Sequence, residues 1–286
     1  MRLVLIHGRA QQGKDATELQ RVWQEGLDCG LAAASLSSIG DHQVVFPYYG
    51  DALISMIQEM KASSDAGAVS KGAPLFDASI DRTILELQQE ILVDSDIAPA
   101  AQEVAAAKGL QNTALALALA RAADKTPFGK ELLSQWAEDV AVYLKHHAVA
   151  YQINDIFAKA IGTEPCVVVA HSLGSIIAYR VLRDLGRSAN VKRLITLGSP
   201  LGLETIRRQL SPPARTFPAG VGSWFNAFDP KDIVALHPLD ARTWDVSPAI
   251  VNHATVRNHM GNHHGISGYL DDPHVATAIH EALSSP

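Results

Sequence analysis

An apolar run, Val167-Val168-Val169-Ala170, leads directly into His171-Ser172-Leu173-Gly174-Ser175 and then into Ile176, Ile177, Ala178, Val181, Leu182 and Leu185 at helical spacing. No other stretch constrains the fold as tightly. A strand apolar at every position has both faces covered, as an inner strand of a parallel sheet flanked by helices does. The change from strand to helix is abrupt, so the residues two before and two after its corner must be small, a need that Ala170 and Gly174 meet. The corner residue, Ser172, is lifted clear of the sheet, and the start of the next helix aims free amide N–H groups at any anion formed beside it. Ser172 is therefore the candidate nucleophile.

The rest of the chain repeats the alternation. Leu3 to Ile6 form a short apolar run ending at His7-Gly8; Leu19, Val22, Trp23, Gly26 and Leu27 then share one helical face, and Val44-Val45-Phe46 stops at Pro47. Cys166 to Ala170, Arg193 to Leu197, Trp224 to Phe228 and Thr243 to Val246 are the later strand candidates. The pattern predicts an α/β fold with a mostly parallel central sheet flanked by helices.

Between 51 and 162 long helical segments replace the alternation, which predicts a large helical cap inserted into a core made of 1–50 and 163–286. Within it, 62–74 is rich in Ser, Gly, Ala and Asp and reads as a mobile connection, and 114–120 reads as helix from its Leu and Ala content. Thr126-Pro127 reads as the cap and first residue of a helix carrying Leu132, Leu133, Trp136, Val140, Tyr143, Leu144 and His147. Ser211-Pro212-Pro213 and Phe217-Pro218-Ala219-Gly220 mark an irregular segment expected to wall a substrate cleft.

Composition narrows the classes of function. With 24 Lys and Arg against 30 Asp and Glu the net charge is −6, and no basic block offers a nucleic-acid footprint. Cys29 and Cys166 stand far apart, so no disulfide is expected. No run of about twenty apolar residues reads as a membrane span. The apolar start of the chain is too short for a signal-peptide core, which predicts a cytoplasmic protein. Oligomeric state is not written in these features.

A serine hydroxyl needs a histidine base, and that base needs an orienting acid. Asp229 and Asp232 both follow the strand candidate at 224–228. Asp229 precedes Pro230 and suits turn initiation, whereas Asp232 is followed by Ile233-Val234, which can pack its loop down; Asp232 ranks first. His259, His263 and His264 compete for the base, and His264-Gly265 lies where a loop would bend before the last helix, so His264 ranks ahead of His263 and His259. A zinc site among them is disfavoured, because no glutamate completes a His-Glu-x-x-His arrangement and glycines interrupt the segment. Neither metal nor cofactor is expected.

The order Ser172, Asp232, His264, together with His7-Gly8, Gly198-Ser199-Pro200 and the final histidine loop, resembles the α/β-hydrolases over most of the chain outside 51–162. The resemblance implies that the first strand here corresponds to the family's third, so that the usual opening antiparallel strands are absent and the core sheet has about six strands, and that His7-Gly8-Arg9 is an oxyanion loop. The backbone N–H groups of Arg9 and Leu173 would then form the oxyanion hole. It implies a serine hydrolase acting through an acyl-enzyme on a carboxylic ester, lipid-like or otherwise hydrophobic. Ala170 stands where many members carry glycine, and the family's range from esterases to acyltransferases leaves the substrate open.

Two alternatives stand beside it. Gly8-Arg9-Ala10-Gln11-Gln12-Gly13-Lys14-Asp15 nearly matches a P-loop, but Asp15 replaces the Ser or Thr that ligates magnesium and would repel phosphate. The other is a hydrolase fold that only binds ligand, which the presence of all three side-chain types for acyl transfer disfavours.

Overall fold

The computed structural model describes residues 1–67, 77–94, 130–210, 215–259 and 263–285. Most of the expected connection at 62–74, the helix expected at 114–120, Thr126-Pro127 and Ser211-Pro212-Pro213 lie outside them. Six strands, β1 (Arg2–Ile6), β2 (Gln43–Val45), β3 (Cys166–His171), β4 (Val191–Leu197), β5 (Val221–Ala227) and β6 (Val251–His253), form one sheet in the order β2-β1-β3-β4-β5-β6. Every neighbouring pair is parallel. The described helices are α1 (Ala16–Ala33), α2 (Gly50–Gly67), α3 (Ala78–Asp94), α4 (Lys130–Lys145), α5 (His147–Ile161), α6 (Leu173–Leu185), α7 (Glu204–Leu210), α8 (Ser267–Leu270) and α9 (Pro273–Ser284).

Successive strand side chains point to opposite faces, so the continuously apolar strands divide the interior in two. Val4, Ile6, Val168, Ala170 and Leu194 face helices α2 to α7. Leu3, Leu5, Val167, Val169, Ile195 and Leu197 face α1, α8 and α9. On α1 the buried stripe of Trp23, Gly26, Leu27, Gly30 and Leu31 realises the expected face, and Gly30 is required because a side chain there would run into the Leu270 carbonyl.

The segment 51–162 is continuous with the first of these layers. Val149, Ile153, Phe157 and Ile161 of α5 share an apolar cluster with Val4 and Val168, and Leu133, Trp136 and Val140 of α4 belong to the same cluster. The helix expected to run through His147 is in fact two. It ends at Lys145, and His146 caps α5 by accepting the Val149 N–H on Nδ1.

Thr243 to Val246 is not a strand. The Thr243 and Trp244 N–H groups donate to the Asp240 carbonyl, and the Arg242 N–H donates to Asp240 Oδ1, so the amides a ladder would need are spent in a turn. Trp244, fully packed against Tyr179 and Trp224, supplied the strand-like apolar signal. The sixth strand is instead the short polar Val251-Asn252-His253, paired through Phe225↔Val251 and Ala227↔His253. Among the described residues no helix is long and apolar enough to cross a membrane.

Candidate active site

The corner between β3 and α6 has the geometry that its small neighbours foretell. Ser172 adopts φ 52 and ψ −126, a region that side-chain-bearing residues rarely occupy and that costs about 1–3 kcal/mol. The end of β1 passes close against it: a Cβ on Gly174 would lie 2.5 Å from the His7 carbonyl oxygen, and one on Gly8 would lie 2.9 Å from Ser172 Cβ. The turn is held by the Ser172 N–H donating to Leu197 O at 3.1 Å and by Ser175 Oγ donating to Ser172 O at 2.6 Å. Ser175 Oγ is also 2.7 Å from Ser199 Oγ.

Loops that follow β5 and β6 bring the predicted partners to this corner. His264 Nε2 lies 2.8 Å from Ser172 Oγ, and His264 Nδ1 lies 2.6 Å from Asp232 Oδ2. The carboxylate fixes the tautomer, since Nδ1–H donates to Asp232 and leaves the Nε2 lone pair facing Ser172 Oγ. Asp232, fully buried, has two further donors: Tyr269 Oη–H on Oδ2 at 2.6 Å and the Val234 N–H on Oδ1 at 3.1 Å. Gly198, at φ +53, makes room, for a Cβ there would lie 3.0 Å from Asp232 Oδ2 and 3.2 Å from His264 Nδ1.

The lower-ranked residues lie against other partners. Asp229 accepts the Lys231 and Asn258 N–H groups at 2.8 and 2.9 Å and lies 3.1 Å from His263 Nδ1, so it organises both its own loop and the histidine loop. Asn258 in turn donates to the Gly265 carbonyl at 2.6 Å, next to His264. His259 is exposed and lies 3.5 Å from Asp271.

Two residues at the site were missed from the sequence. His171 Nε2–H donates to the His264 carbonyl at 2.9 Å, and burial, reinforced by the neighbouring His264 imidazole, holds its pKa well below the usual histidine range. It thus steers His264 while staying neutral. Burial and the Asp232 charge push the Tyr269 phenol well above its usual range, so it stays a donor. Nothing in Ser267-Gly268-Tyr269-Leu270 marks that role; only the fold brings the phenol to Asp232.

Beside the serine lies the end of β1. The Tyr49 N–H donates to His7 Nε2 at 3.1 Å, so His7 carries its proton on Nδ1 and donates to the Gly8 carbonyl at 2.6 Å. Burial lowers its pKa to about 4. Because C=O and N–H point in opposite directions across a trans peptide, drawing the Gly8 carbonyl onto His7 turns the Arg9 N–H away from that pair. The Arg9 side chain anchors the loop to α4: Nε donates to Asp139 Oδ2 at 2.7 Å and a terminal nitrogen donates to Gln135 at 3.0 Å. Burial pushes the Asp139 carboxyl up against the pull of the guanidinium.

Ser172, His264, Gly8 and Arg9 line a cleft of about 340 Å³ with apolar walls from Leu19, Val22, Trp23, Leu132 and Ile266. Phe217 does not wall it; that stretch packs on Trp224 instead. The P-loop-like stretch is not arranged around an anion. The Gly13 N–H donates to Asp51 at 2.6 Å, Lys14 Nζ donates to Gln11 at 3.1 Å, and Asp15 caps α1. The chain matches no protein-family model, no curated protein and no solved structure.

Proposed function

We propose that this protein is a serine hydrolase of the α/β-hydrolase type that cleaves a carboxylic ester through an acyl-enzyme. The observation that carries this reading is the hydrogen-bonded chain from Ser172 Oγ to His264 Nε2 at 2.8 Å and from His264 Nδ1 to Asp232 Oδ2 at 2.6 Å. In the first step His264 takes the Ser172 proton as Oγ attacks the ester carbonyl, and Asp232 stabilises the imidazolium. The N–H of Leu173, first residue of α6 and without an intrahelical acceptor, and the N–H of Arg9 hold the developing oxyanion. His264 then gives its proton to the leaving alcohol, and water, activated by the same imidazole, releases the acid.

The apolar walls of the cleft favour an ester with a hydrophobic acyl group. A chain-length series of nitrophenyl esters tests the reading. Wild-type protein turns over the series, and Ser172→Ala and His264→Ala each lower kcat by roughly a thousandfold or more. Turnover retained in both variants overturns it.

A further inference from the structure

The segment that carries His264 leaves the sheet at His253, the last residue of β6, and runs through α8 to Asp272, the residue that caps α9. At this neck three ligand-type atoms converge. His253 Nε2 lies 3.3 Å from Asp272 Oδ1, His274 Nδ1 lies 3.8 Å from the same oxygen, and one ligand atom from each of the three residues falls within 4.8 Å of the other two. A tetrahedral zinc ion with arms of about 2.1 Å sets its ligands about 3.4 Å apart.

Each part of the cluster is held from outside it. The Phe228 N–H donates to the His253 carbonyl at 3.0 Å and fixes the end of the edge strand. Asp272 Oδ1 accepts the His274 and Val275 N–H groups at 2.9 and 3.1 Å, which orients the carboxylate. The His253 ring lies between Phe225 and His274, stacked on the latter with centroids 4.6 Å apart. Its Nε2 is shut off from solvent and faces Asp272 Oδ1 without a well-aligned hydrogen bond. A buried ring nitrogen needs a partner, and a metal ion held between Nε2 and Asp272 Oδ1, now 3.3 Å apart, would serve both atoms.

We propose that His253, Asp272 and His274 bind one divalent transition-metal ion of the zinc class, closing the neck of the loop that bears His264. Two imidazoles and a carboxylate suit such an ion rather than calcium or magnesium, which take oxygen ligands. A fourth position is left to water from the adjoining cleft of about 400 Å³, which both histidines line. The role is that of a clamp: an ion bound only by the folded chain stabilises it. The assignment does not depend on the reading of Ser172 as a nucleophile.

The test is calorimetric titration of the metal-stripped full chain with Zn²⁺, in wild type and in His274→Ala, whose side chain is 72% exposed and can be removed without disturbing packing. One Zn²⁺ should bind per chain with micromolar or tighter affinity, and His274→Ala should weaken it by roughly a hundredfold. Saturating Zn²⁺ should raise the melting temperature of wild type and not of the variant, and Co²⁺ should give visible absorption bands in wild type alone. His253→Ala, which empties a packed position, should lose binding too if it folds; the exposed variant keeps the test decisive if it does not. No binding at that affinity overturns the proposal, because the cluster is then only a histidine–carboxylate contact. Equal binding in wild type and His274→Ala also overturns it, because an adventitious ion then resides on others of the 12 histidines.

Discussion

At the scale of single residues, Asp232 is more than a partner for one histidine. Its carboxylate collects three donors, and the Tyr269 phenol, held protonated by burial, shares Oδ2 with His264. Tyr269→Phe therefore removes a hydrogen bond to a charged group and leaves the Asp229 N–H without the phenolic oxygen that accepts it. The expected result in steady-state kinetics on the nitrophenyl esters is a kcat lowered about tenfold with KM unchanged; an unaltered kcat contradicts this role. That Asp232 rather than Asp229 would meet His264 was legible in the sequence because Pro230 and the Ile233-Val234 pair carry opposite turn chemistry. His171 and Tyr269 were not legible. A histidine beside a serine and a tyrosine in a short helix acquire their partners only when loops distant in sequence meet.

At the scale of elements, the loop after β1 is built as a bridge. On one side His7 and Tyr49 draw its carbonyls into the interior, and on the other Arg9 ties it to α4 through Asp139, a residue only 2% exposed. Removing one partner of a buried ion pair leaves an uncompensated charge, so Arg9→Met should cost about 3–5 kcal/mol in chemical denaturation. Adding Asp139→Leu removes the stranded carboxylate and should restore most of that stability, yet leave ester turnover lowered, since the loop has still lost its anchor. Equal destabilisation in the single and double variants contradicts the bridge. The strands with unbroken apolar runs were readable because burial on both faces demands such runs. Val251-Asn252-His253 was not, since a three-residue edge strand needs no apolar code, and Trp244 mimicked one by packing from a turn.

At the scale of the whole molecule, the all-parallel sheet gathers the loops that bear Ser172, Asp232 and His264 at one end, and the same packing that builds this end buries two histidines, His7 and His171, in their neutral form. His7 stays unprotonated in the fold down to about pH 4, whereas the unfolded chain takes up the proton near 6.5. Between those values the unfolded state binds the extra proton, so stability is complete above pH 6.5 and is lost as the pH falls. Denaturant unfolding at pH 7 and pH 5 should show a loss of about 2 kcal/mol from His7, and His7→Gln should lose less by that amount. Parallel pH slopes in the two proteins contradict it. The α/β class was legible from alternation alone, but the merging of α4 and α5 with the sheet's own core was not. An amphipathic stripe states how much apolar surface must be covered, not which neighbour covers it. The account rests on Ser172 being a nucleophile armed by His264, and covalent labelling with a fluorophosphonate, mapped by mass spectrometry, measures that directly. The account predicts a single modification on Ser172, lost in Ser172→Ala and greatly slowed in His264→Ala; an unlabelled protein, or a label on any other residue, contradicts it.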